Sequence, residues 1–358
     1  MKKTSKVNES RNVRSISAID MFCGAGALTY GLTKAGIDVR LGVDNDPECE
    51  YPFTANNAAD FQLESVTNIN ASDLNAHYKS DSIRLLAGCA PCQTFSSYYQ
   101  KARPSDTRWW LLSEFSRIVG ELSPELVTME NVPGLAEREV FGDFVVDLYD
   151  LGYWVDYKIV DCFDYGIPQH RQRLVLLASK LGPIELLPPS RFKAKQKTVR
   201  SVIGHMPPLR AGQVDSSDFL HQCSALSDLN LRRIRASRPG GTWRDWRKNL
   251  VADCHRKATG KTYPGVYGRM SWDNAAPTIT TQYFGFGNGR FGHPEQDRAI
   301  SLREGAMLQG FPKTYKFAQR RSEIHKKTIG RLVGNAVPVR LGFIIGTSIK
   351  KHVGQYDQ

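Results

Sequence analysis

A cysteine, a glutamate and a pair of arginines stand out in this 358-residue chain because each borders an apolar run. Cys92 lies in Gly88-Cys89-Ala90-Pro91-Cys92-Gln93, just after the run Ile83–Ala87. A thiol on a loop at a strand's carboxyl end, flanked by Gln93, Ser96 and Ser97, is a candidate nucleophile. A small core residue is the other common use of a cysteine. Glu130 ends the next run, in Met129-Glu130-Asn131-Val132-Pro133. A carboxylate there suits general acid work in a partly buried pocket, or it simply caps a surface turn. Gln169-His170-Arg171-Gln172-Arg173 precedes another run. Alternation puts Arg171 and Arg173 on one face, able to hold an anion or a base oxygen, or merely solvated at the start of a strand.

A glycine loop, Asp20-Met21-Phe22-Cys23-Gly24-Ala25-Gly26, joins a first apolar strand to a helix. Such a turn lets a ligand approach the backbone, and Asp44 at the end of the second strand is placed to accept from ribose hydroxyls. A dinucleotide fingerprint wants a third glycine where Thr29 stands, and a tight turn without ligand is the plainer alternative.

The elements that must position these groups are short strands alternating with amphipathic helices, the pattern of a mostly parallel sheet. Strands are expected at Ser15–Met21, Val39–Val43, Ile83–Ala87, Leu126–Met129, Trp154–Val160 and Leu174–Leu177. Helices are expected at Leu28–Ala35, Pro47–Asn57, Trp109–Glu121 and Val140–Leu151. After Lys180 the texture turns to Pro, Gly, Arg and aromatics up to about residue 295, and from about Lys327 it is helical again. The net charge of +12 favours a polyanionic partner, with basic clusters at Arg191–Arg200 and Arg232–Lys248. There is no uninterrupted run of eighteen apolar residues, so no membrane span is expected. Seven scattered cysteines behind a polar N-terminus suggest reduced thiols in a cytoplasm, and their spacing with histidines makes no zinc site.

In this order and spacing the motifs resemble those of the cytosine-5 DNA methyltransferase family, over nearly the whole chain. Asp20 to Gly26 is similar to the family's cofactor loop, with Asp20, Phe22, Gly24 and Gly26 at the cofactor and Asp44 as the ribose acid. Pro91-Cys92-Gln93 is similar to its nucleophile motif, Glu130-Asn131-Val132 to its glutamate motif, and Gln169-x-Arg171-x-Arg173 to its arginine motif. Arg298 to Pro312 resembles the motif that organises the recognition domain. Gly334-Asn335-Ala336-Val337-Pro338 resembles the last motif, which brings Asn335 and Val337 back to the cofactor. Asn68, Ile69 and Pro91 are likewise implied at the cofactor, but the chain departs from the pattern at Asn68-Ile69, where an aspartate is common, at Ala90 in place of phenylalanine, and at Ala336 in place of serine.

The resemblance implies a Rossmann-like S-adenosylmethionine-dependent domain at 15–184 and 325–358. It further implies a flexible basic arm at 1–14 and a smaller irregular, strand-rich target-recognition domain at 185–324. It implies methyl transfer from S-adenosyl-L-methionine to carbon-5 of a cytosine flipped out of a short duplex site, through a covalent Cys92 adduct at carbon-6. Glu130 would meet ring nitrogen 3 and the exocyclic amine, Arg173 the carbonyl oxygen, and Arg171 the backbone or Cys92. A closing loop is implied at Phe95–Asp106, and DNA contacts at Gln93, Ser96, Arg244, Thr280 and Arg290. Trp243 and Trp246 suit either intruding side chains or a small core. The expected partner is double-stranded DNA, with no membrane and no obligate protein partner, for a cytoplasmic monomer serving a restriction-modification system or acting alone. A tRNA methyltransferase and a catalytically dead DNA-binding regulator are the alternatives.

Overall fold

The computed structural model describes residues 14–91, 110–193 and 195–356. Cys92, Gln93, Ser96 and the expected closing loop at Phe95–Asp106 lie outside the described residues, as do residues 1–13 of the expected arm. Seven strands form one sheet: β1 (Ile16–Met21), β2 (Asp38–Asp44), β3 (Asp60–Leu63), β4 (Ile83–Gly88), β5 (Leu126–Asn131), β6 (Trp154–Asp161) and β7 (Gln172–Ser179), in the order β3-β2-β1-β4-β5-β7-β6. The pairs β1–β2, β2–β3, β1–β4 and β4–β5 are parallel, whereas β7 runs antiparallel to both β5 and β6. All six residues of β1 and of β5 are buried, which is why these strands read as continuous apolar runs and not as alternation. The strand order reverses between β1 and β4. The loops leaving those two strands therefore open into one crevice at the sheet's carboxyl edge. β3, absent from the sequence expectation, is a short edge strand with no buried residue.

Helices cover both faces of the sheet. α1 (Ala27–Lys34), α2 (Glu50–Thr54), α3 (Ala71–Asn75), α4 (Trp110–Leu122) and α5 (Glu139–Asp150) connect the strands. Leu112, Phe115, Ile118, Phe144 and Leu148 of α4 and α5 fill one face. The other face is filled by Leu28 and Leu32 of α1 with Leu341, Ile345 and Ile349 of the last helix. Each such side chain contributes about 1.5–3 kcal/mol by leaving water. The stretch Lys326–Tyr356 is long and apolar enough to cross a membrane, with mean hydropathy 1.4, yet 72% of that window is buried inside the protein. It comprises α10 (Lys326–Asn335) and α11 (Val339–Tyr356), parted by Ala336-Val337-Pro338. Gly31 of α1 faces the backbone of Val339, Gly342 and Phe343 so closely that a β-carbon would not fit, which lets the two helices touch.

Between β7 and α10 the chain carries only short helices, among them α6 (Val199–Ile203), α7 (Asp228–Ala236), α8 (Asp253–Arg256) and α9 (Leu302–Leu308). This segment is irregular, as expected, but it is not strand-rich. Its extended stretches pair as isolated bridges, such as Val214 with Gln222 and Arg269 with Gly292, and no named strand lies there among the described residues. Buried arginines replace ladders. Arg269 donates to the carbonyls of Ile234, Ser237, His293 and Gln296 and to Asp297. Arg298 forks onto Glu304 at 2.7 and 2.8 Å, with both side chains fully buried. Burial pushes the Glu304 carboxyl up, but the Arg298 hydrogen bonds outweigh it and hold the group below its ordinary value. Trp243 and Trp246 form a small core with Ile234, Phe286 and Ala299, which settles them as packing residues.

Candidate active site

Glu130 stands at the carboxyl end of β5, in the crevice beside the loop that leaves β4. Its carboxylate is 2% exposed. Arg173 Nε lies 2.8 Å from Oε1, but off line for a hydrogen bond, so the contact is an ion pair. Oε1 thus remains a buried acceptor without a hydrogen-bond donor. The Cys89 thiol donates to Oε2 at 3.1 Å. Next along the strand, Asn131 Nδ2 donates to the carbonyl of Ala90 at 3.1 Å, pinning the loop two residues before Cys92. An apolar group at Asn131 would leave that carbonyl unpaired, a cost of about 1–3 kcal/mol.

Arg171 and Arg173 are both at this site but differ in use. Arg171 is buried and spends Nη1 on Ile279 O at 2.9 Å and Nη2 on Gly334 O at 3.0 Å and Ala336 O at 3.4 Å. Its Nε is buried without a partner. Burial, then the neighbouring Arg173, pulls this guanidinium down to about 9, which leaves it charged at neutral pH. Arg171 therefore ties the stretch around Ile279 to the turn between α10 and α11. Arg173 places Nη1 on the Gln172 carbonyl at 2.7 Å and sets Nε beside Glu130 Oε1.

The glycine loop after β1 turns in a left-handed conformation at Phe22 (φ 58°), Gly24 (φ 54°) and Gly26 (φ 81°). A β-carbon at Gly26 would strike Asn57 and Phe53, whereas nothing lies within 4 Å of one at Gly24, so the loop presents open space there. Asp44 holds the loop: Oδ2 accepts from Gly24 N at 2.8 Å and Oδ1 from Asp46 N at 3.0 Å. Burial raises this carboxyl, and the two backbone bonds oppose the rise. Its oxygens keep lone pairs for further donors. Asp20 is buried with Oδ2 on Thr29 Oγ1 at 2.7 Å and Oδ1 unpaired. Burial pushes its carboxyl up to about 7. An orphaned buried acceptor beside an open glycine turn and a ribose-competent carboxylate fits a cationic nucleoside cofactor.

The other expected cofactor residues are spread more widely. Asn68 is exposed, and its amide donates to Glu64 Oε1 at 2.8 Å. Ile69 and Val337 are buried core residues, while Asn335 and Pro91 are exposed. Among the expected DNA contacts, Arg244 is exposed over the Trp243 ring at 5.6 Å and Thr280 is exposed beside Gly334. Arg290 donates to the Gly240 carbonyl and lines an open groove of about 530 Å³ with His170 and Phe163. Glu130 and Arg173 do not line that groove. Among the described residues, no three His, Cys, Asp or Glu side chains gather as a metal would require.

A family model described as C-5 cytosine-specific DNA methylase matches residues 16–351. The chain belongs to that family. It is 50% identical over 338 residues to the Type II methylase M.HgiDII of Herpetosiphon aurantiacus, covering 94% of this chain and 95% of that protein. It is 28% identical to the Type II methyltransferase M.Sau96I of Staphylococcus aureus, over 98% of this chain and 79% of that one. In fold it is similar to a prophage-encoded Escherichia coli protein provisionally described as a DNA modification methyltransferase. That match has a TM-score of 0.73 and 21% identity, and covers 95% and 100% of the two chains.

Three residues of this methylase's crevice escaped the sequence reading. Cys89 stands in the sequence only as a neighbour of Cys92, and the fold alone turns it toward Glu130. Asn131 was read within the glutamate motif without its bond to Ala90. Gln169, fully buried, donates to Leu308 O at 3.1 Å and accepts from Ile279 N at 3.0 Å, joining the arginine motif to the segment around Ile279. Its glutamine-before-arginine spacing was visible, but its partners lie over a hundred residues away.

Proposed function

We propose that this methylase uses S-adenosyl-L-methionine to methylate carbon-5 of a cytosine flipped out of a specific short duplex site, with Cys92 as nucleophile. The observation that carries the reading is the pairing of Glu130 with Arg173 in a crevice where Glu130 Oε1 and Arg171 Nε are buried and unsatisfied. An acceptor and a donor left open in a dry site await a polar ligand. The cofactor supplies an electrophilic methyl group. Phe22, Gly24, Gly26 and Asp44 would cradle its nucleoside portion, and Asp20 Oδ1 would receive its charged end. Asn68, Ile69, Pro91, Asn335 and Val337 border the same pocket in this reading.

Carbon-5 of an aromatic cytosine is a weak nucleophile. The Cys92 thiolate adds to carbon-6, and the electron pair of the 5,6 double bond becomes available at carbon-5. Glu130 holds a proton at ring nitrogen 3 and accepts from the exocyclic amine, which offsets charge developing on the ring. Arg173 donates to the carbonyl oxygen. Once carbon-5 carries the methyl group, its proton leaves to a base, the double bond re-forms and the thiolate departs.

Residues 15–184 and 325–358 act as the catalytic domain and 185–324 as the target-recognition domain, with Gln93, Ser96, Arg244, Thr280 and Arg290 on DNA. Phosphate contacts set register there and fewer side chains read bases. The likeness to Type II methylases supports a modification role beside a restriction enzyme. Six described cysteines carry thiols, which suits a reducing cytoplasm; action as a monomer is part of the same reading. Cys92→Ala should abolish methyl incorporation into duplex DNA while leaving DNA affinity within about threefold. Wild-type turnover in that variant, or transfer to tRNA in preference to duplex DNA, overturns the reading.

A further inference from the structure

One thiol in the crevice takes no part in the steps above. Cys89 leaves the end of β4, its amide donates to Met21 O at 3.3 Å, and its Sγ–H reaches Glu130 Oε2 at 3.1 Å. The residue is thus held by the end of β1 while it holds the end of β5.

We propose that Cys89 is a positioning residue for Glu130, fixing the carboxylate so that Oε1 is the oxygen presented to the cytosine ring. The proposal rests on Glu130 being the residue that meets the ring. The terminal torsion of a glutamate is broad and nearly two-fold, so burial alone does not choose which oxygen faces the substrate. Here two contacts from different elements choose it: the thiol from the β4 loop on Oε2 and the Arg173 guanidinium from β7 beside Oε1. Without the thiol, Arg173 is free to draw both oxygens into a two-pronged pair, the geometry a guanidinium prefers. That would take Oε1 away from the ring. A thiol is a weak donor, so what it supplies is orientation and little binding energy. Cys89 forms no bond to substrate and exchanges no proton.

The test is single-turnover methyl transfer by the full chain on duplex DNA with S-adenosylmethionine. Cys89→Ala should slow the methyl-transfer step about tenfold, with KM for the cofactor and affinity for DNA within about twofold. Cys89→Ser, which keeps a donor at the same place, should stay within about threefold of wild type. On a Glu130→Ala background the Cys89→Ala loss should vanish, because the contact it removes is already gone. Equal loss in the serine and alanine variants overturns the proposal, as does a full multiplicative loss in the double variant, since either assigns Cys89 to packing. Undiminished transfer by Glu130→Ala alone would instead sink the reading of Glu130 on which the proposal rests.

Discussion

The sheet and the segment between β7 and α10 solve one problem, the pairing of buried backbone groups, by different means. In the sheet, successive residues pair in register: β6 with β7 runs through eight consecutive pairs. In the segment, buried guanidiniums do the pairing: Arg269 gathers four carbonyls, while Arg298 and Arg303 each reach one carbonyl and fork onto a carboxylate. Arg269 is 5% exposed and Arg298 and Arg303 are 0% and 8%, while Arg171, 3% exposed, does the same where the two regions meet. Ladders need only apolar runs of the right length, whereas carbonyl hubs need one long cation at one place. The lesson bears on charge. Part of the +12 balance that favours a polyanion is spent inside the protein and never faces a phosphate.

The contrast can be broken at its strongest point. Arg298→Met strands the buried Glu304 carboxylate and should cost about 3–5 kcal/mol. Leu86→Ala in the sheet core should cost about 2–5 kcal/mol through a cavity. Followed in urea, Arg298→Met should bring forward the tryptophan signal of the Trp243–Trp246 core relative to the circular dichroism of the sheet. A loss under 1 kcal/mol, or coincident transitions with an unshifted midpoint, would show that the hub is dispensable.

A smaller effect separates two glycines of one loop. Gly26→Ala meets both a left-handed backbone and the Asn57 and Phe53 side chains, and should destabilise by about 1–3 kcal/mol. Gly24→Ala meets only the backbone term, about 1 kcal/mol, but puts a methyl group into the open space assigned to the cofactor. Calorimetric melting with equilibrium binding of S-adenosylmethionine should show Gly24→Ala as the greater loss in binding and Gly26→Ala as the greater loss in stability. The reverse order would remove the cofactor from that face of the loop.

The gentlest lever is pH, which acts oppositely on the two regions. Burial raises Asp20 in the sheet region to about 7, so folding favours its protonated form. Its contribution to stability is lost as pH climbs from about 4 to about 7. Burial lowers His293 in the second region to about 4, so folding favours its neutral form. Its contribution is lost as pH falls from about 6.5 to about 4. Each slope is at most about 1.4 kcal/mol per pH unit. Urea midpoints taken between pH 4.5 and 7 should rise with pH more steeply in Asp20→Asn than in wild type, and less steeply in His293→Gln. Parallel profiles for all three proteins would deny that either group titrates with folding.

Six of the seven strands were legible in the sequence, β1, β4, β5 and β7 as buried apolar runs and the less buried β2 and β6 by their β-branched and aromatic residues. β3 was not, since Asp60–Leu63 is short, polar and unburied, and α3 is a five-residue helix set off by the Asn70 cap. Pro47–Asn57 was read as one helix but starts as a 3-10 turn capped by Asp46 before α2 begins. The stretch 185–324 was expected to be strand-rich, yet the chain there is held by side chains from afar, and hubs have no periodicity to read. In the crevice, Glu130, Arg171 and Arg173 could be named from spacing, and the structure brings them together. Which arginine faces the carboxylate could not, because the partners of Arg171 lie 108 and 163 residues further along the chain.

The contact between α1 and α11 has a consequence for when this protein comes into being. The two helices meet face to face across roughly three hundred intervening residues. At about 5–20 residues per second, some 15–60 s of synthesis separate them on the ribosome. Throughout that interval Leu28 and Leu32 have no lid, and the glycine loop at the head of α1 rests on an unfinished layer. A nascent chain can assemble β1 to β5 early, but it cannot close the floor beneath its own glycine loop until α11 arrives. Stalling or truncation before that point would leave a sticky half-sheet for chaperones to shield, and not a slow enzyme.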